Sequence, residues 1–369
     1  MAAEFLGSRA LNRATLARQL LLRRSDTDVV AAVEHLVGLQ AQVPLNPYLA
    51  LWSRLEGFRP GELARLLRDR AVVRIALMRA TIHLVTADDC LLLRPLVQPV
   101  LDAELARHRE FGPALRGIDL PPVLAFAREL LAERPHSGSE LRAALAERFP
   151  SHDAAALAYA CRNLLALVQV PPRGVWGETS QARSTTADAW LGRPLAARPS
   201  IDELVLRYLA AFGPASAADV ATWSRLTGLR EVVERLRPRL RVFRGERARE
   251  IFDLPEAPRP EPDTPAPPRF LPEYDNVLLS HADRSRFISD ERRARLSRIS
   301  GRVHGSVLSD GLLVGLWRLE RGRDRATLAV TVVERLPKRA AAALEAEARR
   351  LIRFLVSDAE TLDVRLLAA

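Results

Sequence analysis

The chain has 369 residues, 48% hydrophobic and 27% charged, enough for two to four domains around a large buried core. It has no apolar run of the roughly 18 residues a membrane-spanning helix needs, and its start, MAAEFLGSRALNRATLARQ, lacks the apolar region of a signal peptide. The net charge of +10 fits a polyanionic partner; with Lys338 the only lysine and every other basic residue arginine, the compositional bias of a GC-rich genome fits the same count.

In chain order the pattern is mostly helical, broken at intervals by strand pairs. TLARQLLLRR and TDVVAAVEHLVG carry apolar residues at helical spacing, the second led by Ser25 and Asp26 as capping candidates. NPYLALWSRLEG and PGELARLLRD follow, the latter with Pro60 near its first turn. Val72 to Val85 is β-branched and partly alternating, which predicts a strand pair centred on Arg79 and Ala80. A single long helix is expected over ADDCLLLRPLVQPVLDAELARH.

Helices followed by a strand pair outline a winged helix, and the outline recurs. Helices near 122–134, 139–148 and 153–167 lead into ALVQVPPRGVWGET, where Pro171, Pro172 and Gly174 mark a turn. The third copy has helix-turn-helix proportions, with Ser216 as a cap, a turn at Thr227-Gly228 and a helix over Leu229–Leu236. A proline-rich connector, PEAPRPEPDTPAPP, precedes a β-rich segment that turns at Asp310-Gly311 and Arg321-Gly322. A helix, KRAAAALEAEARRLIRFL, and a last strand close the chain.

The expected fold is therefore mainly α with β wings: winged helices over 1–115, 116–198 and 199–256, a linker over 257–268, and a small β-barrel or curled sheet with a helix over 269–369. Cys90 and Cys161 have no paired spacing and read as buried thiols in a reducing cytoplasm.

Phosphate-loop, dinucleotide and metalloprotease signatures are missing, as are CxxC and GxSxG, and the seven histidines show no metal spacing. No metal and no nucleotide cofactor is expected. Lys338 starts a surface-looking helix, a poor place for the desolvated amine that Schiff-base chemistry needs.

The stretch HLVGLQAQVP puts Gln40 and Gln42 directly after a helix that stops at Gly38. Pro44 favours extended backbone before it, and extended residues two apart share a face. Two amides there could hold and orient one water without strongly deprotonating it. Two polar residues after a helix also fit an ordinary solvated loop. Arg79 suits a phosphate contact and His83 the lining of a site; an exposed wing arginine and a satisfied histidine fit as well. Arg173, on a turn, and Arg321, Arg323 and Arg325 in the ERGRDR hairpin suit phosphate or groove contacts, or a solvated turn.

LVGLQAQVPLNPYLALWSRL, LMRATIHLVTADD, LVQVPPRGVWGE, RYLAAFGPASAADVATWSRL and FLPEYDNVLLSHADRSR, in this order, resemble the AlkZ-like winged-helix DNA glycosylases over nearly the whole chain. The resemblance implies three tandem winged helices and a C-terminal barrel around a DNA-sized channel. It also implies excision of N7-alkylguanine by a Gln-Φ-Gln motif, here Gln40-Ala41-Gln42, with both glutamines kept. Members with aspartate at the second position form another branch, so this chain stands nearer the bulky-adduct and crosslink enzymes. The expectation is a monofunctional glycosylase, monomeric, with no cofactor, acting on double-stranded DNA containing alkylated guanine in the bacterial cytoplasm. The alternative is a non-catalytic transcription regulator of tandem winged helices, which has no use for a shared-face amide pair.

Overall fold

A computed structural model describes residues 4–246, 249–299, 305–356 and 359–368. The first apolar stripes become the short helices Ser8–Arg18, Val29–His35, Asn46–Arg54 and Pro60–Arg68. Asp28, rather than Ser25 or Asp26, caps the second, its carboxylate accepting from the Ala31 N–H. Pro60 takes the first helical position of the fourth, where its missing N–H costs nothing.

After Gly38 comes a two-residue strand, β1 (Leu39–Gln40). The expected strand pair is β2 (Val72–Ala76) and β3 (Ile82–Thr86), with Arg79 and Ala80 both left-handed at the tip. The long helix expected from Ala87 divides at Val97 into Ala87–Leu96 and Gln98–Arg107. Pro95 and Pro99 lack the N–H groups that would carry the helical ladder through this point.

The next segment gives helices Leu120–Glu133, Gly138–Arg148 and Ala154–Leu164 with β4 (His136–Ser137), β5 (Leu167–Gln169) and β6 (Arg183–Thr186). Its strands join those of the first segment in one six-stranded sheet, ordered β1-β3-β2-β5-β6-β4, through antiparallel pairing of Ile75 with Val168. Helices Ile201–Phe212, Ala217–Ser224 and Leu229–Leu236 follow, then the hairpin β7 (Arg241–Arg244) and β8 (Glu250–Asp253). Ser216 caps the middle helix and Gly228, at φ 72°, opens the last, as the spacing predicts.

The proline-rich connector has no helix or strand and lies against the first helix. Arg9, Arg13 and Arg18 donate to the carbonyls of Pro262, Thr264 and Pro258. Beyond it, β9 (Arg269–Leu271), β10 (Gly305–Ser309), β11 (Leu312–Arg321), β12 (Arg325–Val332) and β13 (Thr361–Ala368) form a second sheet, ordered β13-β12-β11-β10-β9. The sequence pattern from Gly301 to His304 lies outside the described residues.

No closed barrel is formed among the described residues: β9 and β13 are the two edges of this sheet, and no ladder joins them there. The helix Lys338–Leu355 returns the chain to pair β13 parallel to β12. Its apolar residues Leu344, Leu351 and Ile352 enter one core with Leu51 and Leu63 of the N-terminal helices and Phe270 and Leu328 of the sheet. Trp52 stacks on Phe354 at 5.7 Å within that core. The buried pairs Arg18–Asp253 (2.6 Å) and Arg54–Asp275 (2.8 Å) also tie the N-terminal helices to later segments. Cys90 and Cys161 are both free and fully buried, and burial pushes both thiols up to about 12.

Candidate active site around Gln40

Gly38 makes the site possible. It sits at φ +87°, and a Cβ there would lie 2.6 Å from Val85 Cγ1 and 3.0 Å from the Leu84 carbonyl oxygen. Only glycine lets the chain leave the helix Val29–His35 and press against β3 at this point. Leu39 then pairs with Leu84, Gln40 with His83, and the Ala41 N–H donates to the Ile82 carbonyl at 2.7 Å.

The two glutamines reach adjacent positions of β3, but in unlike environments. Gln40 is 8% exposed; Ala41 is fully buried; Gln42, past the end of β1, is exposed. The Gln42 Oε1 accepts from the Ile82 N–H at 3.2 Å, and the Gln40 Oε1 accepts from Arg79 Nη2 at 2.6 Å. A backbone N–H and a guanidinium only donate, so these partners fix which end of each amide is oxygen. Each glutamine thus keeps its Nε2 donors and one carbonyl lone pair for another group.

Arg79 is held by the left-handed turn that carries it. Its Nη2 also donates to Asn276 Oδ1 at 2.8 Å and lies 3.4 Å from His83 Nε2, and its Nη1 donates to the Trp223 carbonyl at 3.0 Å. Asn276 closes the ring by donating from Nδ2 to the Gly38 carbonyl at 3.2 Å. No carboxylate touches Gln40, Gln42, Arg79 or His83 among the described residues. Burial, and then the charges of Arg225 and Arg284, push the Arg79 guanidinium down to about 10.

His83 is fully buried. Its ring faces the Thr81 carbonyl at 2.9 Å, an acceptor, so Nδ1 carries the proton and the Nε2 lone pair faces Arg79. Burial, then the Arg79 charge, push it down to about 3, which keeps it neutral. The His83 ring, a candidate DNA contact, meets Arg79 and Thr81 in this structure.

A second arginine, absent from the sequence-based candidates, shapes the glutamine loop. Arg74 is 2% exposed and donates to the Ala41 carbonyl at 2.9 Å and to Gln169 Oε1 at 3.1 Å. Burial, then the Arg173 charge, push it down to about 10. Arg173 itself donates from Nη1 to the Ser180 carbonyl at 2.9 Å, and its buried Nε has no partner among the described residues. Arg321, Arg323 and Arg325 are exposed around the β11–β12 hairpin tip, in the other sheet. Lys338 is exposed at the start of its helix.

Asn276 and Arg74 were the residues sequence reasoning missed. Arg74 had a signal, a lone charge between Val73 and Ile75 in a strand; Asn276 lay inside a block quoted only for its resemblance. No group of three or more His, Cys, Asp or Glu that could hold a metal occurs among the described residues, and no described helix is long and apolar enough to cross a membrane.

The chain is similar in structure to the Streptomyces sahachiroi DNA glycosylase AlkZ, with a TM-score of 0.77 over 100% of both chains at 22% identity, a likeness of fold. No curated protein matches it in sequence. The family model described as DNA glycosylase AlkZ-like matches residues 33–354, the span that holds every residue of the site above. The chain belongs to the AlkZ-like DNA glycosylase family.

Proposed function

We propose that this DNA glycosylase hydrolyses the N-glycosidic bond of N7-alkylated guanine in double-stranded DNA, acting on bulky natural-product adducts or interstrand crosslinks, in DNA repair or antibiotic self-resistance. Gln40 and Gln42 are its catalytic residues. It works as a monomer in the bacterial cytoplasm, without a cofactor. The observation that carries this reading is a pair of oriented carboxamides with no carboxylate in contact and a neutral histidine beside them.

Such a site has no strong general base. It suits a reaction whose leaving group needs none. N7-alkylation makes guanine cationic, so the C1′–N9 bond breaks with the electron pair going to the base, and an oxocarbenium-like sugar remains. A water accepting from one Nε2 and donating to a free carbonyl lone pair would keep its second lone pair for addition to C1′. The proton it loses passes to solvent. With Lys338 exposed and far from desolvated, water rather than an amine is the nucleophile, which makes the enzyme monofunctional. Arg173 and the hairpin arginines Arg321, Arg323 and Arg325 serve as DNA-backbone contacts in this reading.

The test is single-turnover base release from duplexes carrying N7-methylguanine or a bulky N7 adduct. Wild type is compared with Gln40→Ala, Gln42→Ala and the double variant, with DNA affinity measured alongside. Release by wild type, lost in the variants while affinity persists, is the expected result. Intact DNA binding with no release from any N7 adduct would leave a non-catalytic DNA-binding protein.

A further inference from the structure

Arg79 is a largely buried guanidinium with no carboxylate partner. Its protein contacts are neutral acceptors, and its Nε–H has none among the described residues. The charges near it are of the same sign: Arg225 and Arg284 stand close enough to oppose its own. Both are exposed, and neither side chain has a hydrogen bond or ion pair among the described residues. Their neighbours differ in this respect, because Arg249 pairs with Asp283 and Arg293 with Asp290.

The positions are specific. Arg225 occupies the left-handed C-cap of the helix Ala217–Ser224, two residues after the Trp223 carbonyl that Arg79 holds, in the turn of the helix-turn-helix. Arg284 lines a cleft of about 490 Å³ together with Arg249, Arg293 and the carboxylates Glu246, Asp283 and Asp290, of which Asp283 pairs with Arg249, Asp290 with Arg293, and Glu246 accepts from Ser8. None of the three guanidiniums pairs with a carboxylate among the described residues, since the acids near Arg284 are engaged by other side chains. Burying an unpaired charge is costly unless a counter-ion arrives.

We propose that Arg79, Arg225 and Arg284 form a cradle for one or two backbone phosphates beside the target nucleotide, so that DNA supplies the counter-ion the folded protein lacks. Arg79 is shared: one edge holds the Gln40 carbonyl, and the other faces the phosphate. Phosphate capture and the orientation of Gln40 are therefore coupled, and Arg225 and Arg284 are positioning residues. This rests on the glycosylase reading above.

The experiment uses the full chain and duplexes with one N7-methylguanine in which each flanking phosphate in turn is replaced by an uncharged methylphosphonate. Single-turnover release and the salt dependence of affinity are measured for wild type, Arg225→Gln, Arg284→Gln and the double variant. Neutralising a cradle phosphate should slow wild type by about 10-fold or more, while adding less than about 2-fold in the already slowed double variant, because the two changes remove one interaction. The slope of log affinity against log salt should shrink by about 2 in the double variant. Thermal unfolding should show no loss and at most a small gain, since neither side chain has a partner to lose among the described residues and each opposes the Arg79 charge. Additive effects of methylphosphonate and double variant, or an unchanged slope, would overturn the cradle. If wild type releases no base, the glycosylase reading fails by itself, and the salt slope on undamaged duplex still decides the phosphate site.

Discussion

Replacing Gln40 by glutamate separates what the side chain does for folding from what it does for chemistry. The new carboxylate would face Arg79 across the contact that the Gln40 Oε1 makes at 2.6 Å. A charge pair about 4 Å apart gains roughly 4 kcal/mol at an effective dielectric near 20. Taking the carboxylate out of water costs several kcal/mol in return. Gln40→Glu should therefore change stability by no more than about 2 kcal/mol, and in either direction. What it removes outright is the Nε2 donor. Losing one donor that positions the reacting water costs about 3 kcal/mol, or about 100-fold in rate.

The companion variant Gln40→Ala should lose a similar rate but also about 1–3 kcal/mol of stability, because Arg79 loses an acceptor in a buried place. For a chain of this length that is roughly 1–2 °C of melting temperature per kcal/mol. Single-turnover base release and thermal unfolding of both variants are the assays. Wild-type release by Gln40→Glu would refute the assignment of Nε2 as the working end of the amide.

Further outcomes follow from neighbouring residues. Gly38→Ala must place a Cβ 2.6 Å from Val85 Cγ1 at a positive φ, so denaturant unfolding should show a loss of about 2–4 kcal/mol. Asn276→Ala leaves the Gly38 carbonyl and one Arg79 N–H without a partner; a loss of about 1–3 kcal/mol, accompanied by slower base release, is expected. His83 is held neutral with its pKa lowered to about 3, while in the unfolded chain it binds a proton below about 6.5. The unfolded state thus takes up more protons in that window, and stability is lost as pH falls from about 6.5 toward 3. Between pH 8 and pH 5.5 this histidine accounts for about 1.4 kcal/mol, which urea titrations of wild type and His83→Gln at both pH values would isolate. Lys338→Ala should release base at the wild-type rate, and borohydride should trap no enzyme–DNA adduct in either protein.

Periodicity placed most long helices, the strand pair around Arg79-Ala80, the cap at Ser216 and the helix Leu229–Leu236, because each is set by contacts within a few residues. The glutamine pair was legible for the same reason: a glycine stop and a following proline are local signals. The very short strands β1, β4 and β9 were not, since two or three residues carry no period and owe their pairing to β3, β6 and β10. The single helix expected over Ala87–His108 failed on Pro95 and Pro99, a local signal outweighed in reading by a long apolar pattern. Whether the last sheet closes was not legible for a global reason, because closure depends on whether the two edge strands meet.

The sequence by itself determined that the helix would stop at Gly38 and that Gln40 would follow on extended backbone, with Gln42 two residues further on. Only the tertiary structure decided that Gln40 is buried and Gln42 exposed, and that a guanidinium holds the first. Arg79, Trp223 and Asn276 are separated by 144 and 197 residues along the chain from one to the others. Local sequence sets backbone direction through a few torsions, whereas the partners of a buried polar group are chosen by whichever distant segments the core brings within hydrogen-bonding reach.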